Sequence, residues 1–297
     1  YLQDLEFEKV DVPFPAEFVE LKVLLKRIYD SRVEGLRSRS LLFGMANKIS
    51  LLKLQGQLAA RWTNARDFNA MRGMSLTASA IKISHAMELL ETQTLSGLKE
   101  YLQGLVKQAN EKKSKAVQQL ASSNEFKAVL VSLNDLLSKS IEHPKIEECA
   151  VLIENEFKLK KDSKIIVFTQ FRETAVRVVE RLNKIKLNVE NSPQLSEAAE
   201  IKAMTFFGQA KKGNTGLTQK EQKEIIRKLN EGEINVIVAT SIGEEGLDIA
   251  EVSAVIFYEP IPSEIRKIQR AGRTARLKPG KLFILVTKDT RDVAYHY

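Results

Sequence analysis

A chain of 297 residues, 43% hydrophobic and 28% charged, is long enough for two folded units with their own cores and too apolar to be disordered. Its single cysteine, Cys149, excludes an intrachain disulfide framework and a cysteine-based zinc site, and no apolar run reaches the roughly 20 residues of a membrane span. The formal net charge of +8 fits a polyanionic partner.

The chain opens Tyr-Leu-Gln-Asp, with neither an initiator Met nor a basic-then-apolar leader, and reads as an internal piece of a longer intracellular protein. From about Pro15 to Ile141 helix follows helix, and residues 1–143 are expected to form an all-helical domain. Phe18, Leu21, Leu25 and Ile28 mark one face of the first helix, widened by Leu24. Further helices are expected around Leu41 to Leu58, Phe68 to Leu89, Leu95 to Val106 and Phe126 to Leu137. Ser122 and Glu125 have the spacing of a capping box for the last of these. Basic positions lie between the apolar stripes: Arg37, Arg39, Lys48, Lys53, Arg61 and Arg66, then Lys112, Lys113 and Lys115. A solvated helix face and a phosphate-tracking surface both accommodate them. His85, His143 and His296 lie far apart without metal-ligand spacing, and no metal is expected.

Beyond His143 the pattern changes. A helix from Ile146 to Phe157 leads through a Lys-rich turn into Ile165-Ile166-Val167-Phe168, a run of the kind buried in a parallel sheet. Strands are then expected at Ala203 to Phe207, Val236 to Ala239, Ala254 to Tyr258 and Leu282 to Val286, alternating with helices at Glu173 to Ile185, Gln219 to Asn230 and Glu264 to Ala275. Thr218 and Glu221 make a second capping box. Pro279-Gly280-Lys281 reads as a hairpin-like turn before the last strand. The alternation predicts an α/β fold over residues 144–297, a doubly wound parallel sheet whose ligand crevice lies beyond the carboxyl ends of its strands.

Functional groups are therefore sought in the loops after those strands. Thr240 and Ser241 bring hydroxyls and N–H groups to a strand end, a natural cradle for phosphate. Gly243 and Gly246 allow close backbone approach, and Asp248 suits a ribose hydroxyl. Arg270, Arg273 and Arg276 recur every third residue, so on a helix they form a stripe able to grip phosphate in bidentate fashion. A salt-bridge network with Glu244, Glu245 or Glu259 is the structural alternative.

Taken together, Phe168-Thr169-Gln170-Phe171-Arg172 resembles motif IV of superfamily 2 helicases, Thr240 to Asp248 resembles motif V, and Gln269 to Arg276 resembles motif VI. Phe207-Gly208-Gln209-Ala210, Gly216-Leu217-Thr218-Gln219, Glu244-Glu245-Gly246-Leu247-Asp248 and Phe257-Tyr258-Glu259-Pro260 resemble the archaeal Hef and Fanconi anaemia M branch. Ala275, where many members have Gly, and Glu245, where DEAD-box members have Arg, depart from the wider pattern. The resemblance implies a RecA-like second motor lobe preceded by a helical insertion. By the same resemblance, Arg273 and Arg276 would be arginine fingers, and Gly246, Asp248 and Gln269 would serve the nucleotide. Thr169, Gln170, Arg172, Thr240 and Ser241 would hold a nucleic-acid strand. It further implies ATP and magnesium bound mainly by a first lobe, branched or forked DNA as partner, a nuclease domain that can follow, and a cytoplasmic or nucleoid-associated setting.

No Gly-Lys-Thr or Gly-Lys-Ser phosphate loop occurs in this sequence, so by itself it is expected to be inactive as an ATPase. Two other readings compete: a RIG-I-like or Dicer-type motor on double-stranded RNA, and a non-catalytic nucleic-acid-binding scaffold. A dinucleotide-binding oxidoreductase is disfavoured, because Thr169-Gln170-Phe171 stands where its glycine fingerprint would lie.

Overall fold

The computed structural model describes residues 6–186, 200–208, 216–240, 252–271 and 279–296. It divides into two compact units, one spanning Pro15–His143 and the other joining the residues before Pro15 to those from Pro144 onward.

The helical unit contains α1 (Val19–Ser38), α2 (Lys48–Ala65), α3 (Phe68–Thr92), α4 (Leu95–Asn110), α5 (Lys115–Ser122) and α6 (Asn124–Ser138). Side-chain caps open five of them, from Asn47, Asp67, Thr94, Ser114 and Ser123, each satisfying amides that would otherwise lack partners. The cap of α6 is Ser123, which accepts from the Phe126 amide; Ser122 instead closes α5 and donates to the Gln119 carbonyl. The expected box shifts by one residue because α5, missed in the sequence, occupies Ser122. Leu41 and Leu42, expected in a helix, are buried in the link to α2. The second helix packs on α3 at a site with no room for a side chain: a Cβ on Gly73 would lie 2.4 Å from Leu41 Cδ1 and 2.9 Å from Leu58 Cδ1.

In the other unit six parallel strands lie in the order β1-β6-β5-β2-β4-β3: β1 (Glu6–Val12), β2 (Ile165–Phe168), β3 (Ala203–Phe206), β4 (Val236–Ala239), β5 (Val252–Phe257) and β6 (Pro279–Thr287). Around them come α7 (Lys145–Leu159), α8 (Arg172–Leu182), α9 (Gln219–Asn230), α10 (Pro262–Ala271) and α11 (Arg291–His296). The strands, of which β2 and β4 are uniformly apolar, feed two cores because alternate side chains point to opposite faces. Ile165, Val167, Val236, Val238 and Ile256 meet α7 and α8 on one face. Ile166, Phe168, Ile237, Val255 and Phe257 meet α9 and α10 on the other. Arg181 grips Glu147 through two bonds of 2.6 and 2.8 Å, tying α8 to α7. Thr218 and Glu221 form the expected capping box on α9.

The structure differs from expectation at both ends of this unit. Residues 6–12, expected within the helical domain, form β1 beside β6; four of the seven residues of Glu6–Val12 are charged, which hid the strand, but Val10 and Val12 supply its core face. Pro279-Gly280-Lys281 is the start of β6, parallel to β5, and no hairpin turn. Proline is tolerated there as a first strand residue.

Candidate functional site at the carboxyl edge of the sheet

Because the strands are parallel, their carboxyl ends share one edge, and the register makes them level. Phe168 pairs with Ala239 of β4 and Phe257 of β5, so the next residues, Thr169, Thr240 and Tyr258, leave the sheet together. Ladder bonds continue one step beyond: Thr169 N donates to Ala239 O (3.0 Å), Tyr258 N to Phe168 O (2.9 Å) and Thr240 N to Phe206 O (3.3 Å).

Glu259 fixes the first of these loops. Its Oε1 accepts from the Gln170 amide at 2.5 Å and the Thr169 hydroxyl at 3.3 Å, while Oε2 is buried without a hydrogen-bond partner. Burial pushes the Glu259 carboxyl up to about 7, against the opposing pull of Lys145 and the Gln170 N–H. In the sequence Glu259 stands in the Phe257-Tyr258-Glu259-Pro260 stretch and as a candidate partner of the arginine stripe; its side chain lies under the β2–α8 loop, while Arg273 and Arg276 lie outside the described residues.

Beside it sits a charged pair with no access to water. Lys145 Nζ lies 2.5 Å from Asp292 Oδ2, with side chains 0% and 1% exposed, and 5.3 Å from the centre of the Tyr258 ring. Asp292 also accepts from the Thr287 amide at 2.9 Å. The pair joins the first turn of α7 to α11, and no local pattern links two residues so far apart in sequence.

Of the expected strand-holding residues, Thr169 is fully buried, its hydroxyl facing Glu259, so it shapes the loop. Gln170 is exposed, Arg172 half-buried with its guanidinium 5.3 Å from the Phe207 ring centre, and Thr240 half-buried at the end of β4. Gln170, Arg172 and Thr240 thus belong to neighbouring strand ends. Gln269 lies in α10. Ser241, Gly246, Asp248, Arg273 and Arg276 lie outside the described residues, as do Gly243, Glu244 and Glu245.

The carboxyls of Glu259 and Asp292 are both buried, while the half-buried Arg172 and Thr240 and the exposed Gln170 stand at this edge. Cys149, buried in α7 with its thiol pushed up to about 12 by burial, is a core residue without nucleophilic character. No helix among the described residues is long and apolar enough to cross a membrane.

Residues 144–278 match the family described as "Helicase conserved C-terminal domain", and residues 17–139 match "Putative ATP-dependent RNA helicase, helical bundle". The whole chain is 32% identical to 35% of a Methanocaldococcus jannaschii protein named "Putative ATP-dependent RNA helicase MJ1505". Over 76% of its length it is 32% identical to 19% of the ATP-dependent DNA helicase mph1 of Sclerotinia sclerotiorum. Among solved structures, the Pyrococcus furiosus Hef helicase domain superposes over the whole chain and 58% of its own, with TM-score 0.80 and 36% identity. The chain thus spans about a third or less of the length of these curated relatives.

Proposed function

This chain belongs to the superfamily 2 helicases of the Hef and Fanconi anaemia M type, and from that premise we propose that the full protein is an ATP-dependent helicase or translocase acting on branched or forked DNA. The observation that supports the reading is the level register of β2, β4 and β5, by which Thr169 and Thr240, residues of the stretches that resemble motifs IV and V, leave the sheet at one edge. DNA is preferred over RNA because several relatives are named DNA helicases.

ATP and magnesium, bound mainly by a first motor lobe outside this chain, supply the phosphoryl chemistry. The residues of this chain would act on it from the side. Arg273 and Arg276 would reach the phosphate end as arginine fingers, stabilising charge that develops in transfer, an effect worth roughly 10³ to 10⁵ in rate in GTPases. Gln269, Gly246 and Asp248 would serve the nucleotide, Asp248 as acceptor for a ribose hydroxyl. Gln170, Arg172, Thr240 and Ser241 would hold backbone phosphates of one strand. Thr169 and Glu259 would keep the first of those loops in shape. The helical unit would contact the duplex or branch.

The test is nucleic-acid-stimulated ATPase of the full-length protein with forked DNA, linear duplex DNA and duplex RNA. Greatest stimulation by forked DNA, lost in Arg273→Ala, is the expected result. The RNA reading is favoured by the names of the matched helical-bundle family and of the archaeal relative, and greatest stimulation by duplex RNA would establish it instead. An absence of ATPase activity with every nucleic acid would leave a binding scaffold.

A further inference from the structure

The positive charge of this chain is concentrated in one place. The helical unit holds nineteen basic and twelve acidic residues, whereas the rest of the chain is close to neutral; within it, Gly35–Lys82 alone holds eight basic residues against one acidic. That segment therefore accounts for nearly all of the net +8. Its second helix, α2, contains no acidic residue, so its lysines and arginines lack the intrahelical ion pairs of an ordinary solvated face.

At the turn from α2 to α3 this charge meets aromatic surface. Phe68, the first residue of α3, is 68% exposed, and Met71 one turn later is 38% exposed. Trp62 packs edge-on against Phe68, ring centres 5.7 Å apart, and the Arg66 guanidinium lies 5.1 Å from the Trp62 centre. The single acid of the segment, Asp67, is already engaged: it caps α3 by accepting from the Asn69 and Ala70 amides and pairs with Arg61 at 2.5 Å. Asn69 reaches the Arg39 carbonyl at 3.3 Å, fastening the turn to the end of α1. Arg66 and Arg72, both exposed, and the half-buried Arg39 thus belong to the same capped, braced turn as the exposed ring.

A solvent-exposed Phe costs hydrophobic free energy and is conspicuous beside arginines with no acidic counterpart. Single-stranded nucleic acid is the polymer that fits both features, since unpaired bases offer faces to stack on the ring and phosphates to meet the guanidinium groups. Resting on the helicase reading above, we propose that the α2–α3 turn is a stacking contact for the unpaired strand, with Phe68 receiving a base and Arg39, Arg66 and Arg72 receiving the flanking phosphates. The site differs from the strand-holding loops at the sheet edge: it reads the unpaired character of the strand, whereas those loops hold its backbone.

Trp62 is the only tryptophan and stands in the site, so the chain carries its own reporter. The experiment titrates the 297-residue chain with a fluorescein-labelled oligothymidylate of about 15 nucleotides, within the usual span of a single-strand site. Binding is followed by anisotropy and, with unlabelled oligomer, by Trp62 emission. The expected result is saturable quenching, an affinity about ten-fold weaker in Phe68→Ala, and recovery in Phe68→Tyr. Blunt duplex of equal length should quench less. Anisotropy showing binding while Trp62 emission stays constant and Phe68→Ala matches the wild type would overturn this site and leave the motor reading standing. If neither signal responds, both the site and the nucleic-acid part of that reading fail. Self-association seen by sedimentation and abolished in Phe68→Ala would overturn the proposal in favour of a protein contact.

Discussion

The two units solve the same packing problem in opposite ways. In the sheet, β2 and β4 are fully buried runs of four apolar residues, and the backbone ladder fixes their positions, so local detail matters little and chemistry is left to the loops. Among the helices no ladder joins neighbours, and position depends on side chains: a cap at five helix starts, a glycine at one crossing. The polar investments differ accordingly. The sheet unit hides charge beneath its edge, as Lys145, Asp292 and Glu259, while the helical unit displays it. One kind of unit suits a site that must be aimed, the other a surface that must attract.

Substitutions in each unit can break this contrast. The largest effect is expected from Lys145→Met, which leaves Asp292 buried and without its cation. Breaking such a pair typically costs about 3–5 kcal/mol. Hydrogen exchange at the Ile165–Phe168 amides should accelerate, while Trp62 emission, which reports the helical unit, should follow an unchanged urea midpoint; a midpoint that fell equally would mean the units do not separate energetically. Next comes Gly73→Leu, whose side chain would collide with Leu41 and Leu58. Overpacking of this kind costs about 1–3 kcal/mol and should lower the Trp62 midpoint while sparing the β2 amides.

Smaller and sharper is the response of Glu259 to pH. Its carboxyl is raised to about 7 when folded and lies near 4.3 when unfolded. The native state therefore binds the extra proton between those values. The stability that Glu259 contributes is full below about 4.3 and is lost as pH rises through about 7. Glu259→Gln keeps an acceptor for the Gln170 amide and removes the titration. The wild type should lose stability relative to the variant between pH 5 and 8, measured as the difference in urea midpoints. A constant difference would show that Glu259 is ionised throughout.

The sequence disclosed what depends on local pattern. The strands β2, β4 and β5 declare themselves as short apolar runs, and the Thr218 box on α9 needs only four residues. Level strand ends then bring Thr169, Thr240 and Tyr258 to one edge. What escaped depends on distance or on competing signals. β1 gains its place from a partner at the far end of the chain, β6, and its charges outweigh Val10 and Val12 when read alone. The short α5 lay behind a cluster of lysines, and that hidden helix displaced the cap of α6 to Ser123. Lys145 looked like one more surface lysine because nothing nearby announces Asp292. The exposed Phe68 was equally silent, since a helical stripe does not distinguish a core phenylalanine from one that points to water.

The pairing of β1 with β6 has a consequence for the order of synthesis. Of the described strands of this sheet, β1 is the first to be made, and its partner among them, β6, is the last. Meanwhile the entire helical unit can fold behind it, with Phe18 and His143 meeting at 5.8 Å to close its two ends together. During translation β1 is thus a bare sheet edge awaiting completion, and its run of acidic and basic residues, Glu6, Glu8, Lys9 and Asp11, gives it the charge by which an unpaired strand avoids the wrong neighbour.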